Sequence, residues 1–304
     1  MIQIDDSGSG SLIGGTGIGI LNTDTNEYYF DIIPLKYYQT ELYQKKLYQD
    51  YVIEIVKKGF SKLNVTKKDT IQVCQSYVFD KLRHWLTDNE YNWSNAKIEG
   101  PLQYKVEESF THYVINLGLP RDFVKHARFA FGFHRLLKWV FADKEKRKNL
   151  CKTQWKSWQK WGNKERSIYK NILTYPDYCL KCGKKIKPPQ KVITIEYTTI
   201  KPATINLHPQ CYSGELREFP PEFLREFSTI IKLRNLPENN EPQLFLKVLN
   251  NEVVVTSVQG EILGILDKPL SYKIAFWLNK GFVWQCYLKE LSENQAKLNL
   301  KLIN

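Results

Sequence analysis

The spacing of hydrophobic and polar positions changes several times along the chain, and each change predicts an element. In residues 1–35, Ile2 and Ile4 precede the turn-rich Asp5-Asp6-Ser7-Gly8-Ser9-Gly10. Gly17-Ile18-Gly19-Ile20-Leu21 follows Gly14-Gly15-Thr16, and Tyr28-Tyr29-Phe30-Asp31-Ile32-Ile33 follows a polar turn cluster. These read as three short strands joined as a meander. From Thr40 to Leu63 the apolar residues recur every four positions (Leu47, Tyr51, Ile55; Val52, Val56, Phe60). That is a helix, with Thr40 placed to cap its start. Thr70–Cys74 reads as a buried strand, entering a helix that carries Val78, Leu82, Trp85 and Leu86. Ala96–Gly100 is a candidate fifth strand. Pro101 opens a helix that stops at Gly118-Leu119-Pro120, and a further helix is expected over 123–143. Strand-like runs return at 192–197 and 244–266, followed by a helical stretch 270–279 and strands near 282–288 and 296–303.

The pattern predicts an α/β domain with a mixed sheet and helices over 1–170, a small module over 171–235 and a small β-rich barrel over 243–304. The polar stretch 235–242, with two prolines, is the expected linker. With 304 residues, 42% hydrophobic, the chain can fill more than one core. No run of 18 or more apolar residues occurs, so no membrane span is expected. The first residues lack the basic and apolar regions of a signal peptide, so a cytoplasmic location is expected. The six cysteines do not read as a disulfide framework.

Charge changes the picture more than composition does. Between Arg121 and Lys170 there are fifteen Lys or Arg against four Asp or Glu, a net +11 of the chain's +12. Four of the eight tryptophans lie in the same window: Trp139, Trp155, Trp158 and Trp161. Clustered cations neutralise phosphates, and interleaved aromatics stack on bases. DNA or RNA is therefore an expected partner, with Arg128, Arg135, Lys138, Arg147, Lys152, Trp155, Lys156, Trp158 and Lys160 as candidate contacts. A solvated helix face, with the aromatics buried beneath it, accounts for the same residues.

Cys179-x2-Cys182 and His208-x2-Cys211 form the most specific local motif. Two such pairs, brought together by a hairpin, give one Zn²⁺ its four tetrahedral ligands. The second pair resembles those of Cys3His zinc fingers. Four protein ligands leave no open position, so the expected metal, Zn²⁺, is structural. Fingers of this kind engage nucleic acid or protein, and a protein partner through the finger or the C-terminal barrel is the alternative expectation.

Strand, strand, strand, helix, strand, helix, with an acid on the first strand and a Gly-rich turn into the second, resembles the ribonuclease H-like superfamily. The Cys74-Gln75-Ser76-Tyr77-Val78 run matches that family's fourth strand and the entry to its next helix. The resemblance implies a metal-dependent nuclease in which carboxylates hold Mg²⁺ or Mn²⁺, with Asp5 or Asp6 as the first-strand acid. The remaining acids would come from Glu54, Asp80, Glu107, Glu108 or Asp143, of which Asp143 stands beside the lysine run. The family commonly has an Asp where this chain has Gln75, a poor ligand for a hard cation. Asp5 and Asp6 at a strand end before Ser7-Gly8 also suit a plain turn. In the C-terminal region, Gly260-Glu261-Ile262-Leu263-Gly264-Ile265-Leu266, a helix, Gly281 and a strand resemble HIRAN-type barrels of DNA-processing proteins.

Overall fold

Ile2 and Ile4 point to one face of the first strand, β1 (Ile2–Ser7), and are almost fully buried there. In a computed structural model of the chain, residues 1–124, 132–216, 219–220, 222–235, 243–250 and 252–303 are described. They divide into two units, Met1–Asn163 and Lys164–Asn304.

In the first unit β1 is the middle of a five-stranded sheet. It pairs antiparallel with β2 (Thr16–Asn22), which pairs antiparallel with β3 (Tyr28–Ile33). On its other side it pairs in parallel with β4 (Ile71–Cys74), which pairs in parallel with β5 (Trp93–Ala96). The order is thus β3-β2-β1-β4-β5. Helices α1 (Leu47–Lys62) and α2 (Asp80–Asp88) cover one face, where Val52, Ile55, Val56, Leu82 and Leu86 meet Ile2, Ile4, Ile18, Ile20, Ile71 and Val73. Helix α3 (Pro101–Asn116) covers the other face, with Leu102 and Val106 on Leu21 and Ile98. The strand period of two supplies both faces from the same short segments.

Three expectations shift. Lys46 adopts φ 53°, and α1 starts at Leu47 after it; the Thr40 hydroxyl bonds the Lys36 carbonyl and does not cap the helix. The fifth strand lies at Trp93–Ala96, slightly earlier than expected. The helix expected over 123–143 is represented by α4 (Arg121–Val124) and α5 (Phe133–Phe141), and residues 125–131 between them lie outside the described ones. After α5 come α6 (Lys144–Arg147) and α7 (Lys156–Trp161).

The second unit begins before the expected boundary at 170, because β6 (Ser167–Leu173) is the edge of its first sheet. That sheet has the order β10-β9-β6, with β9 (Gln190–Thr198) and β10 (Pro202–Leu207) forming a hairpin. A two-stranded ribbon, β7 (Asp177–Tyr178) and β8 (Lys185–Ile186), carries the first knuckle. The short α8 (Glu222–Arg225) leads into β11 (Glu226–Leu233). A closed barrel follows, in the order β11-β14-β13-β12-β15-β16, made with β12 (Gln243–Leu249), β13 (Glu252–Thr256), β14 (Ile262–Ile265), β15 (Trp284–Leu291) and β16 (Gln295–Leu302). Helix α9 (Lys268–Leu278) buries Ile274 and Trp277 in the barrel core. The barrel therefore starts at Glu226, ahead of the expected 243, and β11 belongs to it and not to the zinc module. Closure requires a strand to pair with both β14 and β16, and β11 does so. Of the expected 235–242 linker, residues 236–242 lie outside the described ones.

Candidate functional site

The C-terminal end of β1 faces the C-terminal end of β4, because Ile4 pairs with Val73 in the parallel register. Asp5 and Asp6 are thereby set beside Cys74, Gln75 and Ser76. They line an open cleft of about 620 Å³ with Ser7, Gly8, Ser9, Lys97, Gln103 and Glu107. One ligand-capable atom each from Asp5, Asp6 and Cys74 lies within 4.8 Å of the others. Arg83 holds the β4 side of the cleft: its guanidinium donates to the carbonyls of Cys74 (2.7 Å) and Ser76 (3.0 Å) and to Asp80 and Asn95.

The two acids answer to different neighbours. Asp5 is 6% exposed, and burial raises its carboxyl from 3.8 to about 6, against hydrogen bonds from the Cys74 thiol and the Asp6 amide. Asp6 and Glu107 add repulsion that pushes it the same way. Asp6 is also raised by desolvation, opposed by hydrogen bonds from Ser9 and Ser76 and by the charge of Lys152. Cys74 is pushed up to about 12 by burial and by Asp5. The thiol is half-buried, within the acid cluster.

Lys152 is fully buried. Residues 150–152 fold back along 12–14: the Gly14 amide donates to the Leu150 carbonyl, and the Lys152 amide to the Leu12 carbonyl, each at 2.9 Å. The Lys152 ammonium then donates to the Gly8 carbonyl (2.6 Å) and to Thr16 Oγ1 (3.2 Å), between the rings of Tyr38 and Trp155. Burial lowers it from 10.5 to about 7, against the pull of Asp6.

This corrects part of the charge-island expectation. Lys152 faces inward. Arg147 is buried with its guanidinium on the Trp139 ring and donating to the Trp139 carbonyl, and Trp158 is buried as well, so these three present no open surface to a phosphate or a base. Arg135, Lys156 and Lys160 are exposed, while Lys138 and Trp155 are half-buried. Arg128 lies outside the described residues. Asp143 precedes α6, half-buried, and is not among the residues lining the cleft, so it does not join Asp5 and Asp6. Glu107 does line it; the sequence offered it only as one of several helical acids.

In the second unit, Cys179, Cys182, His208 and Cys211 bring their ligand atoms within 4.8 Å of one another. The β7–β8 ribbon makes the first knuckle. Gly183, at φ 75°, lets its amide reach the Cys179 carbonyl at 2.8 Å. The β9–β10 hairpin delivers His208, whose carbonyl accepts from the Cys211 amide at 2.9 Å. Cys182 Sγ lies 3.4 Å from His208 Nδ1. Three thiols and one imidazole at this spacing form a donor set that can hold a metal ion such as zinc.

Among the described residues, no helix is long and apolar enough to cross a membrane. No protein-family model and no curated protein matches the chain.

Proposed function

We propose that this chain binds nucleic acid and that its first unit cleaves phosphodiester bonds with the help of divalent ions at Asp5 and Asp6. The observation that carries this reading is the convergence of the two acids at the end of the central strand, inside a cleft. The strand order, three antiparallel strands followed by two parallel ones with β1 in the middle, supports the resemblance to ribonuclease H-like folds. The four-ligand cluster supports a structural zinc in the second unit, and the barrel after it supports the likeness to HIRAN-type modules.

In this mechanism Mg²⁺ or Mn²⁺ would activate a water and stabilise the leaving oxygen. Asp5 and Asp6 supply the hard oxygen ligands, and Glu107 is the nearest lining acid that can add a third or orient the water. Gln75 adds no charge, and the Cys74 thiol, held neutral by its surroundings, serves as a hydrogen-bond donor to Asp5. Lys152 holds the Gly8 turn by donating to its carbonyl. A cleavage assay with Mg²⁺ or Mn²⁺ tests the reading. Wild type is expected to cut single- or double-stranded substrate, and Asp5→Asn and Asp6→Asn to lose at least about 100-fold, the scale of removing a group that stabilises the transition state. Equal activity in all three removes these acids from the mechanism.

A second reading, a non-catalytic adaptor for a protein partner, is favoured by the apolar side chains left exposed on the barrel strands: Ile230 at 59%, Phe245 at 44% and Leu249 at 46%. A partner that stays bound after nuclease treatment distinguishes it.

A further inference from the structure

The β7–β8 ribbon has two unlike faces. In its antiparallel register Asp177 sits opposite Ile186, and Tyr178 opposite Lys185. Opposed residues share a face of a ribbon, and successive residues alternate. The first pair faces inward: Ile186 is fully buried, and the Asp177 carboxylate accepts from Asn206 Nδ2 at 2.8 Å. The second pair faces outward, with Tyr178 at 56% exposure and Lys185 exposed opposite it. Lys184 and Lys187 flank Lys185 and are exposed as well. The backbone under this face is held in place. The Cys179 amide donates to the Lys184 carbonyl at 2.9 Å, and the Gly183 amide to the Cys179 carbonyl at 2.8 Å.

The outer face carries charge of one sign. From Tyr175 to Lys191 there are five lysines and one acid, and that acid is Asp177, turned to the inner face. Among the described residues, Lys184, Lys185 and Lys187 have no ion pair, and the Tyr178 ring has no aromatic or cation–π neighbour. Unpaired lysines alone are common on protein surfaces. A tyrosine more than half exposed, set by strand register directly opposite one of them, is a more specific arrangement. It also says what kind of polyanion fits. Lysines attract phosphates and carboxylates alike, but the face of an aromatic ring is electron-rich and stacks on a base, not on a carboxylate.

We propose that the outer face of the β7–β8 ribbon is a nucleic-acid contact surface, with Lys184, Lys185 and Lys187 on the phosphates and an unpaired base stacked on Tyr178. The proposal rests on the nucleic-acid part of the reading above and not on cleavage at Asp5 and Asp6. None of its residues belongs to the 121–170 window.

The test uses the full chain with zinc retained and no magnesium or manganese added, and variants are compared at equal zinc content. Fluorescence anisotropy is measured with a labelled 12-nucleotide single-stranded DNA, the same sequence as RNA, a blunt DNA duplex and a polyglutamate peptide, over a series of salt concentrations. The triple variant Lys184→Gln, Lys185→Gln, Lys187→Gln is set against a charge-matched triple, Lys268→Gln, Lys289→Gln, Lys301→Gln, made at exposed lysines of the barrel and its helix. The ribbon triple flattens the slope of log affinity against log salt on the single strands by about 2, and the control triple leaves it nearly unchanged. At fixed salt Tyr178→Ala loses roughly 5–150-fold on the single strands and less on the duplex, while Tyr178→Phe stays within about twofold of wild type. Equal weakening by the two triples, wild-type affinity in Tyr178→Ala, or a ribbon triple that loses polyglutamate binding and keeps nucleic-acid binding would overturn the proposal while leaving the nucleic-acid reading intact. If wild type binds none of the three nucleic acids, that reading falls, and the proposal falls with it.

Discussion

The ammonium of Lys152 lies 2.6 Å from the carbonyl oxygen of Gly8, 144 residues earlier in the chain. A buried cation is costly unless something compensates it, and here the compensation is two oxygen acceptors, two aromatic rings and the nearby Asp6. Its pKa in the folded protein, about 7, is below the unfolded 10.5. Between those values the unfolded chain holds a proton that the folded chain does not. Folding stability from this group therefore rises as pH climbs from about 7 toward 10.5, and its full cost is present below 7. Lys152→Met is expected to lack that rise. The difference between the two proteins in urea midpoint, followed from pH 6 to 10, should change by at most about 4–5 kcal/mol in free energy. Parallel curves would show that Lys152 titrates as it does in the unfolded chain.

Asp5 works in the other direction. Its carboxyl is raised from 3.8 to about 6, so between those values the folded protein holds the extra proton. Stability from Asp5 falls as pH rises through this window, and its cost is complete above about 6. Asp5→Asn is expected to stabilise the metal-free site at pH 7.5 by up to about 3 kcal/mol and to be nearly neutral at pH 4. Thermal melts at the two pH values check it. The same variant should lose catalysis, the mark of an acid kept for use and not for folding.

Gly8 is held at φ 77°, and a Cβ there would fall 2.0 Å from Phe110 Cζ. Gly10, two residues on, has open space around it. Gly8→Ala is expected to cost more than about 2 kcal/mol, through both the left-handed backbone and displacement of Phe110, and Gly10→Ala less than about 0.5 kcal/mol. Chemical denaturation of the pair separates a strained turn from one that is merely glycine-rich.

One zinc per chain is expected by metal analysis, and His208→Ala should lose it. Because the ligands come from a short ribbon and a hairpin, metal removal should expose residues 177–212 to protease while the first unit keeps its melting transition. Full retention of zinc by His208→Ala would remove the imidazole from the ligand set.

What the sequence made legible was mostly local. The apolar runs of β1 to β3 and the knuckle spacing each sit within a few residues, so the meander and the Cys179, Cys182, His208, Cys211 cluster could be read directly. The meeting of Cys74 with Asp5 depends on a parallel register set by the packing of α1, α2 and α3, which no local pattern carries. Lys152 was misread for a related reason. Counting charges places it on a basic surface, but the backbone pairing of 150–152 with 12–14 turns it inward. The strand β11 was hidden because its partners, β14 and β16, lie far along the chain.

Asp5 and Asp6 are neighbours in the chain, yet β1 hands them to separate constituencies. Asp5 is governed from α3 and β4, through Glu107 and Cys74; Asp6 is governed from the serines of two turns and from Lys152. A substitution in the 150–152 segment thus reaches Asp6 directly and Asp5 only through the charge of Asp6, whereas one on α3 reaches Asp5 directly. Acidity at the two positions therefore has separate handles joined by one link, the repulsion between neighbouring carboxylates.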